Sequence, residues 1–88
     1  MTYLTVLATA YCLTGTTATG SYVHPGTVAV DPRVIRLGSH LRIPGYGYGH
    51  AEDTGAAIKG RRIDVWFSSC YRARLWGVRR LRVGVRRA

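Results

Sequence analysis

At 88 residues the chain is long enough for one domain with a single modest core and too short for a second, so residues 1–88 are expected to form one domain. Its 13 lysines and arginines against four acidic residues give a net charge of +9. This excess favours polyanionic partners such as nucleic acid, anionic lipid or anionic cell-wall polymers, without choosing among them. The N-terminal stretch lacks a basic leader and a long apolar run, so it predicts neither a signal peptide nor a membrane span.

The first half of the chain predicts two strands separated by a long loop. Residues 3–12 alternate threonine or tyrosine with apolar side chains, the period of a half-buried strand. Residues 14–26 are rich in Thr, Gly and Ser and predict a polar loop or an irregular hairpin. Residues 27–30 form a short apolar strand stopped by an Asp-Pro pair. For residues 33–40 the pattern allows one helical turn or a compact crossover.

The second half predicts further short strands. Residues 41–43 are one strand, closed by Pro-Gly, and residues 46–50 alternate tyrosine with glycine. The glycines leave one strand face bare, which lets another backbone or a ligand come close. Residues 63–67 predict a strand that carries Asp64 among apolar neighbours.

A short helix and a last strand are predicted to complete the chain. Ser68 or Ser69 can cap a helix that runs to about Trp76 and ends at Gly77. Residues 80–86 alternate arginine with apolar side chains, so one face of this strand is basic. Six or so short strands with one or two short helices and many glycine turns indicate a small closed β-barrel, an all-β fold.

The two cysteines, Cys12 and Cys70, are too far apart for a metal-binding or redox CxxC motif and too few for a disulfide framework. Two alternatives remain. They could form one bridge that closes a long loop, which requires an oxidising compartment, or they could be two unpaired buried thiols.

The acidic residues are only four, namely Asp31, Glu52, Asp53 and Asp64, in a chain crowded with arginine. Such scarcity predicts a specific role, because surface acids are usually more numerous. Each also has a structural interpretation: Asp31 and Asp53 precede ordinary turn sequences, and Glu52 can be solvated or ion-paired. Asp64 in a strand is costly to bury unless it faces a cleft or pairs with a neighbouring cation, for which Lys59, Arg61 and Arg62 are the candidates.

Four stretches together resemble the 3D domain, a family named for three aspartates: ATAYCLTGTTATG, VAVDPRVIRLGS, IPGYGYG and AEDTGAAIKGRRIDVWF. The resemblance covers residues 6–85. It implies a six-stranded double-psi β-barrel related to the catalytic barrel of membrane-bound lytic murein transglycosylase A and, more distantly, to expansins. The three aspartates of the pattern correspond to Asp31, Asp53 and Asp64. Ala56 departs from the pattern, which usually has glycine there, so the loop geometry beside Asp53 is open to question.

The resemblance implies a peptidoglycan lytic transglycosylase that cleaves the MurNAc-GlcNAc β-1,4 bond and leaves a 1,6-anhydro product. Asp64 is then the acid and base, and Asp31 and Asp53 shape the same cleft. Because an aspartate has an ordinary pKa of about 3.9, its pKa must be raised by burial or by a nearby carboxylate for it to act as an acid at neutral pH.

Substrate contacts are expected from residues in and around the aspartate motif. The predicted set is Lys59, Tyr48, Thr54, Gly55 and Trp66, the tyrosine and the tryptophan by stacking on sugar rings. Core packing is the alternative for each aromatic residue, and a solvated turn is the alternative for Lys59.

Two other classes of function are open. The first is a non-catalytic, expansin-like module that binds cell-wall polysaccharide. The second is a nucleic-acid binder, which is supported by the net charge and by no recognition motif. His24, His40 and His50 lack zinc-ligand spacing, so we expect no metal and no cofactor. The expected partners are peptidoglycan glycan strands and anionic wall polymers, with no specific nucleic acid and no membrane span. We expect a monomer in an extracytoplasmic or wall location, reached through an upstream segment, a fusion partner or cell lysis.

Overall fold

A computed structural model of the chain describes residues 1–87. It contains six strands and one helix, within the predicted number of elements. In chain order these are β1 (Thr2–Tyr11), β2 (Thr27–Ala29), β3 (His40–Ile43), β4 (Gly47–Asp53), β5 (Arg62–Trp66), α1 (Cys70–Trp76) and β6 (Arg79–Arg86).

The strands close into a barrel in the order β1, β5, β2, β4, β3, β6 and back to β1. Two pairs are parallel, β1 with β5 and β2 with β4, and the other four are antiparallel. The predicted closed six-stranded barrel is confirmed. Residues 32–34 form a single turn closed by the Asp31 carbonyl, which accepts hydrogen bonds from the Val34 and Ile35 amides, each at 2.9 Å. The bond from Ile35 spans four residues, as in an α-helix, so one of the two alternatives for this stretch, a single helical turn, is present.

The barrel interior is filled by alternate residues of the strands, as the period of two requires. These side chains form one continuous cluster that also includes the indole of Trp76. The buried strand members are Val6, Ala8, Val28, Leu41, Ile43, Ala51, Ile63, Val65 and Val83.

The bare face of β4 lies against β2. A Cβ atom on Gly49 would be only 2.7 Å from the Val28 methyl group and 3.3 Å from the Gly26 carbonyl oxygen. The close approach predicted from the tyrosine-glycine alternation is therefore an approach of another part of the protein, and the glycine is what permits the strands to pack.

Helix α1 closes one side of the barrel. The hydroxyl of Ser69 caps it by accepting the Arg72 amide at 3.2 Å, and Gly77 ends it with φ of 64°. The Trp76 indole N–H donates to the Ala8 carbonyl of β1 at 3.1 Å in the buried interior, which fixes the helix against the barrel. Within residues 1–87, no helix is long and apolar enough to cross a membrane.

Cys12 and Cys70 form a disulfide that joins the segment after β1 to the first residue of α1. Of the two alternatives left open by the sequence, the bridge is the one realised. Their Cα atoms are 5.1 Å apart, within the usual range for such bridges. The bridge therefore holds the end of β1, and with it the chain that follows, against the helix.

Candidate functional site

Two of the four carboxylates line one cleft on the barrel wall. Asp53 is the last residue of β4, Asp64 lies in the middle of β5, and Ala29 of the intervening β2 pairs with both. Adjacent strands lie roughly 4.8 Å apart, so the Cα atoms of the two aspartates are separated by about 10 Å. The methyl group of Ala29 occupies little of the space between them, and a cleft of about 290 Å³ remains.

The walls of the cleft come from loops on either side of these strands. One wall is Leu13 and the beginning of the predicted polar loop, residues 14–16, together with Val23. The opposite wall is the turn that follows Asp53, with Thr54, Gly55 and Ile58. The cleft is therefore lined by backbone and hydroxyl groups as well as by apolar side chains.

Asp64 is half-buried between the buried residues Ile63 and Val65. Its carboxylate accepts a hydrogen bond from the Thr9 hydroxyl at 2.9 Å. Burial raises the pKa of the Asp64 carboxyl, the hydrogen bond and the nearby Arg62 oppose the rise, and the charge of Asp53 adds to it. Within residues 1–87 no ion pair involves Asp64, so the salt bridge considered from the sequence is not formed there.

Asp53 is held by three hydrogen-bond donors. The amides of Ala18 and Thr54 donate to one carboxylate oxygen at 3.0 and 2.9 Å, and the Tyr11 hydroxyl donates to the other at 3.4 Å. Because Ala18 belongs to the polar loop, Asp53 ties this loop and the turn after β4 to the same carboxylate. Asp53 therefore organises the cleft walls. By contrast, no backbone amide of residues 1–87 donates to the Asp64 carboxylate.

Tyr11 and Thr9 are site residues that the sequence did not reveal. Burial, followed by the negative charges of Asp53 and Asp64, raises the pKa of the Tyr11 hydroxyl. The hydroxyl therefore keeps its proton and remains a donor. Both residues lie on the same parity of β1, and this shared face was visible in the sequence. What was not visible is the parallel register that pairs Thr9 with Asp64.

Asp31 occupies a different place. Only 2 % of its side chain is exposed, and the Arg33 guanidinium binds both of its oxygens at 3.0 and 3.1 Å. The amides of Arg33 and Gly60 also donate to it, at 3.0 and 2.8 Å. The Arg33 side chain and then these amides hold the pKa of the Asp31 carboxyl well below its usual range. Asp31 does not line the cleft; it joins the chain after β2 to the turn before β5.

The aspartate motif contributes two of the predicted substrate contacts to the cleft. Thr54 and Gly55 line it, while Lys59 is exposed and lies outside the lining. The departure at Ala56 has no conformational cost, because within residues 1–87 only glycines have positive φ. The alanine therefore fits the turn in an ordinary backbone conformation.

The two predicted aromatic contacts lie away from the cleft. Tyr48 is 72 % exposed on the outer face of β4, where the Arg42 guanidinium lies 5.5 Å from its ring centroid. Trp66 is 7 % exposed, and its indole N–H donates to the Leu13 carbonyl at 2.9 Å. Trp66 thus packs in the core and supports the cleft wall from behind.

The histidines form a row outside the cleft. The His40 and His50 ring centroids are 5.0 Å apart, and His24 Nε2 lies 2.7 Å from a Glu52 carboxylate oxygen. Glu52 also accepts the hydroxyl of the fully buried Thr27 at 2.9 Å, so it joins strand β4 to strand β2. In the part of the chain that the structure describes, no group of three His, Cys, Asp or Glu side chains is arranged to hold a metal ion.

The sequence and the fold are both similar to those of known proteins. The chain is 46 % identical over 91 residues to the cell wall-binding protein YocH of Bacillus subtilis and 44 % identical over 94 residues to the putative cell wall shaping protein YabE of the same organism. Each alignment covers 93 % of this chain, but only 32 % and 22 % of the respective relative. The chain thus spans about a third or less of the length of these relatives.

Among solved structures, the crystal structure of MltA from E. coli has a similar fold, with a TM-score of 0.63 at 22 % identity, over 84 % of this chain and 28 % of MltA. This likeness confirms the predicted barrel and concerns the fold alone. The family model of the 3D domain matches residues 26–86, a stretch that contains all three aspartates of the motif. The chain belongs to the 3D domain family.

Proposed function

We propose that this chain is a cell-wall module that binds peptidoglycan glycan strands, with the cleft of Asp53 and Asp64 as its glycan site. The observation that carries the proposal is that Asp53, Asp64 and Tyr11 line one cleft. There the Tyr11 hydroxyl donates to Asp53, and Thr9, outside the lining, donates to Asp64. Carboxylates accept hydrogen bonds and hydroxyls both donate and accept them, which suits the hydroxyl groups of a sugar. The names of the two relatives, wall-binding and wall-shaping, support the wall as the place of action.

The disulfide supports the same location. Bridges such as Cys12–Cys70 persist in oxidising surroundings and are rare in the cytosol. An extracytoplasmic module at the wall satisfies this condition.

Cleavage of the bound glycan is the second candidate function, and the raised pKa of Asp64 favours it. In this reaction the Asp64 carboxylic acid donates its proton to the oxygen of the MurNAc-GlcNAc bond as the bond to the anomeric carbon breaks. The resulting carboxylate then takes the proton of the C6 hydroxyl, whose oxygen bonds to that carbon and closes the 1,6-anhydro ring. One carboxyl group acts as acid and then as base, with no need for a second one in the chemistry.

The two functions are separated by product analysis of purified sacculi incubated with the protein. The lyase is established if mass spectrometry detects anhydro-muropeptides and if Asp64→Asn lowers their rate of formation at least 10²-fold. A loss of this size is what the removal of a positioned proton donor causes. Intact glycan together with sedimentation of the protein on the sacculi establishes the binder. If the protein neither sediments nor cleaves, both proposals fail.

The position of the glycan site is tested by filling the cleft. Ala29→Leu places a larger side chain between Asp53 and Asp64 without removing a polar group, so we expect binding to sacculi to fall at least tenfold. Ala57→Leu is the matched control, because Ala57 is exposed and does not line the cleft. Equal binding by the two variants, with both shown to be folded by circular dichroism, would place the glycan elsewhere.

A further inference from the structure

A second concavity of the protein is a groove separate from the aspartate cleft. It has a volume of about 780 Å³ and lies where β1 begins and β6 ends. Thr2 lines it, whereas Tyr11 at the other end of β1 lines the cleft. The two sites share no lining residue.

The groove is lined by both basic and aliphatic side chains. Four arginines line it together with Leu4, Val85 and other aliphatic side chains. Arg33 is neutralised by its two contacts with Asp31, whereas Arg36 and Arg61 are exposed and make no side-chain hydrogen bond or ion pair with any residue that the structure describes. With Arg87 they leave three positive charges around the groove, and within residues 1–87 no carboxylate lines it.

We propose that this groove binds a linear polyol-phosphate chain, a phosphodiester polymer of the kind found in bacterial cell walls. Guanidinium groups bind phosphate oxygens through paired, charge-assisted hydrogen bonds, and successive phosphates of one strand can reach arginines on different sides of the groove. The aliphatic side chains of the lining suit the short carbon segments between phosphates. The choice of a wall polymer over other phosphodiesters rests on the wall function proposed above.

The lining argues against the other common polyanions. Sites for single-stranded nucleic acid stack bases on aromatic side chains, and none of the described residues that line this groove is aromatic. A membrane surface is flat and is bound by projecting side chains, whereas these arginines surround a concavity. A flexible chain without rings fits both features.

The test is binding of a synthetic glycerol-phosphate oligomer, measured by calorimetry, to the wild type and to two charge-matched double variants. Arg36→Gln/Arg61→Gln removes two charges from the groove. Arg74→Gln/Arg80→Gln removes two exposed charges that do not line it. We expect the groove variant to lose about tenfold in affinity, since each exposed ion pair accounts for a factor of roughly 1.5 to 5, and the control to lose less than threefold.

The salt dependence gives a second readout. The slope of log affinity against log salt should be shallower for the groove variant by about one unit per lost phosphate contact. Equal losses in the two double variants, or no loss in either, would show diffuse attraction and overturn the proposal. The single variants Arg36→Gln and Arg61→Gln replace the double variant if its melting temperature has fallen.

Three further ligands identify the occupant. Single-stranded DNA of equal charge and vesicles containing one quarter phosphatidylglycerol should bind more weakly than the oligomer. If either one binds more tightly than the oligomer, and if the groove variant loses this binding, the assignment to a wall polymer is overturned. Peptidoglycan stripped of phosphodiesters should bind the wild type and the groove variant equally. If Ala29→Leu loses binding to the stripped peptidoglycan and still binds the oligomer, the cleft and the groove are independent sites.

Discussion

Removal of the Cys12–Cys70 bridge is expected to cost this domain a large part of its stability. The two residues are 58 positions apart in the chain, and the chain-entropy relation gives about 4 kcal/mol for a loop of that length. A domain of 88 residues has a total unfolding free energy of roughly 4–13 kcal/mol. The double variant Cys12→Ser/Cys70→Ser is therefore expected to be marginal at physiological temperature.

The assay is equilibrium unfolding in guanidinium, followed by tryptophan fluorescence. For a domain of this size the unfolding free energy falls by roughly 2–3 kcal/mol per molar guanidinium. The guanidinium concentration at the unfolding midpoint should therefore fall by about 1.5 M. Reduction of the wild type should reproduce the shift, because Cys70 is exposed to reductant. A loss below about 1 kcal/mol in both experiments would refute the reasoning and show that the unfolded chain is already compact around these residues.

Other predictions concern the charges and the packing of the barrel. Burial raises the pKa of Asp64, so the contribution of Asp64 to wild-type stability is expected to fall as pH rises from about 4 through this raised pKa. In chemical denaturation, Asp64→Asn should therefore be more stable than the wild type at pH 7. It should have no advantage below pH 4. Asp31→Asn should show the opposite pH dependence, because a carboxyl with a lowered pKa stabilises the fold above about pH 4. This variant should be less stable than the wild type at pH 7 and nearly equal to it in strong acid. Equal pH profiles for the two variants would contradict both assignments. Gly49→Ala should destabilise by about 1–3 kcal/mol, because its Cβ would meet a core methyl group. Gly84→Ala is the control in the same melting experiment, because the nearest obstacle there is the flexible end of the Met1 side chain; a drop of the same size in both would contradict the packing argument.

Strands β1 and β6 were predictable because their sequences alternate with a period of two, and β2 because it is a short apolar run before Asp-Pro. The structure starts β1 one residue earlier than predicted and ends it at Tyr11, and it ends β2 at Ala29. The helix cap at Ser69 and the stop at Gly77 were also visible, since serine and glycine have local reasons to occupy those positions. Local chemistry therefore determined the elements.

The site was only partly predictable because its members come from strands that are distant in sequence. The position of Asp64 between apolar residues indicated a half-buried carboxylate, but its partner Thr9 depends on a parallel pairing 55 residues away. Asp31 could not be separated from the other two aspartates by sequence, since its contact with the Gly60 amide arises only when the turn before β5 folds back. The sequence of one segment does not determine the register in which it pairs with a distant one.

The closure of the barrel has a consequence for survival in an exposed environment. Every strand has a hydrogen-bonded neighbour on both sides, so no strand can detach without the rupture of two ladders. Proteases cleave segments that open locally, and such openings are rare where no edge can fray. Within residues 1–87 the doubly paired parts of the ring also offer no free edge for strand addition by another molecule. We therefore expect slow amide exchange where a strand is paired on both sides and faster exchange in residues 2–6 and 79–83, which pair on one side only.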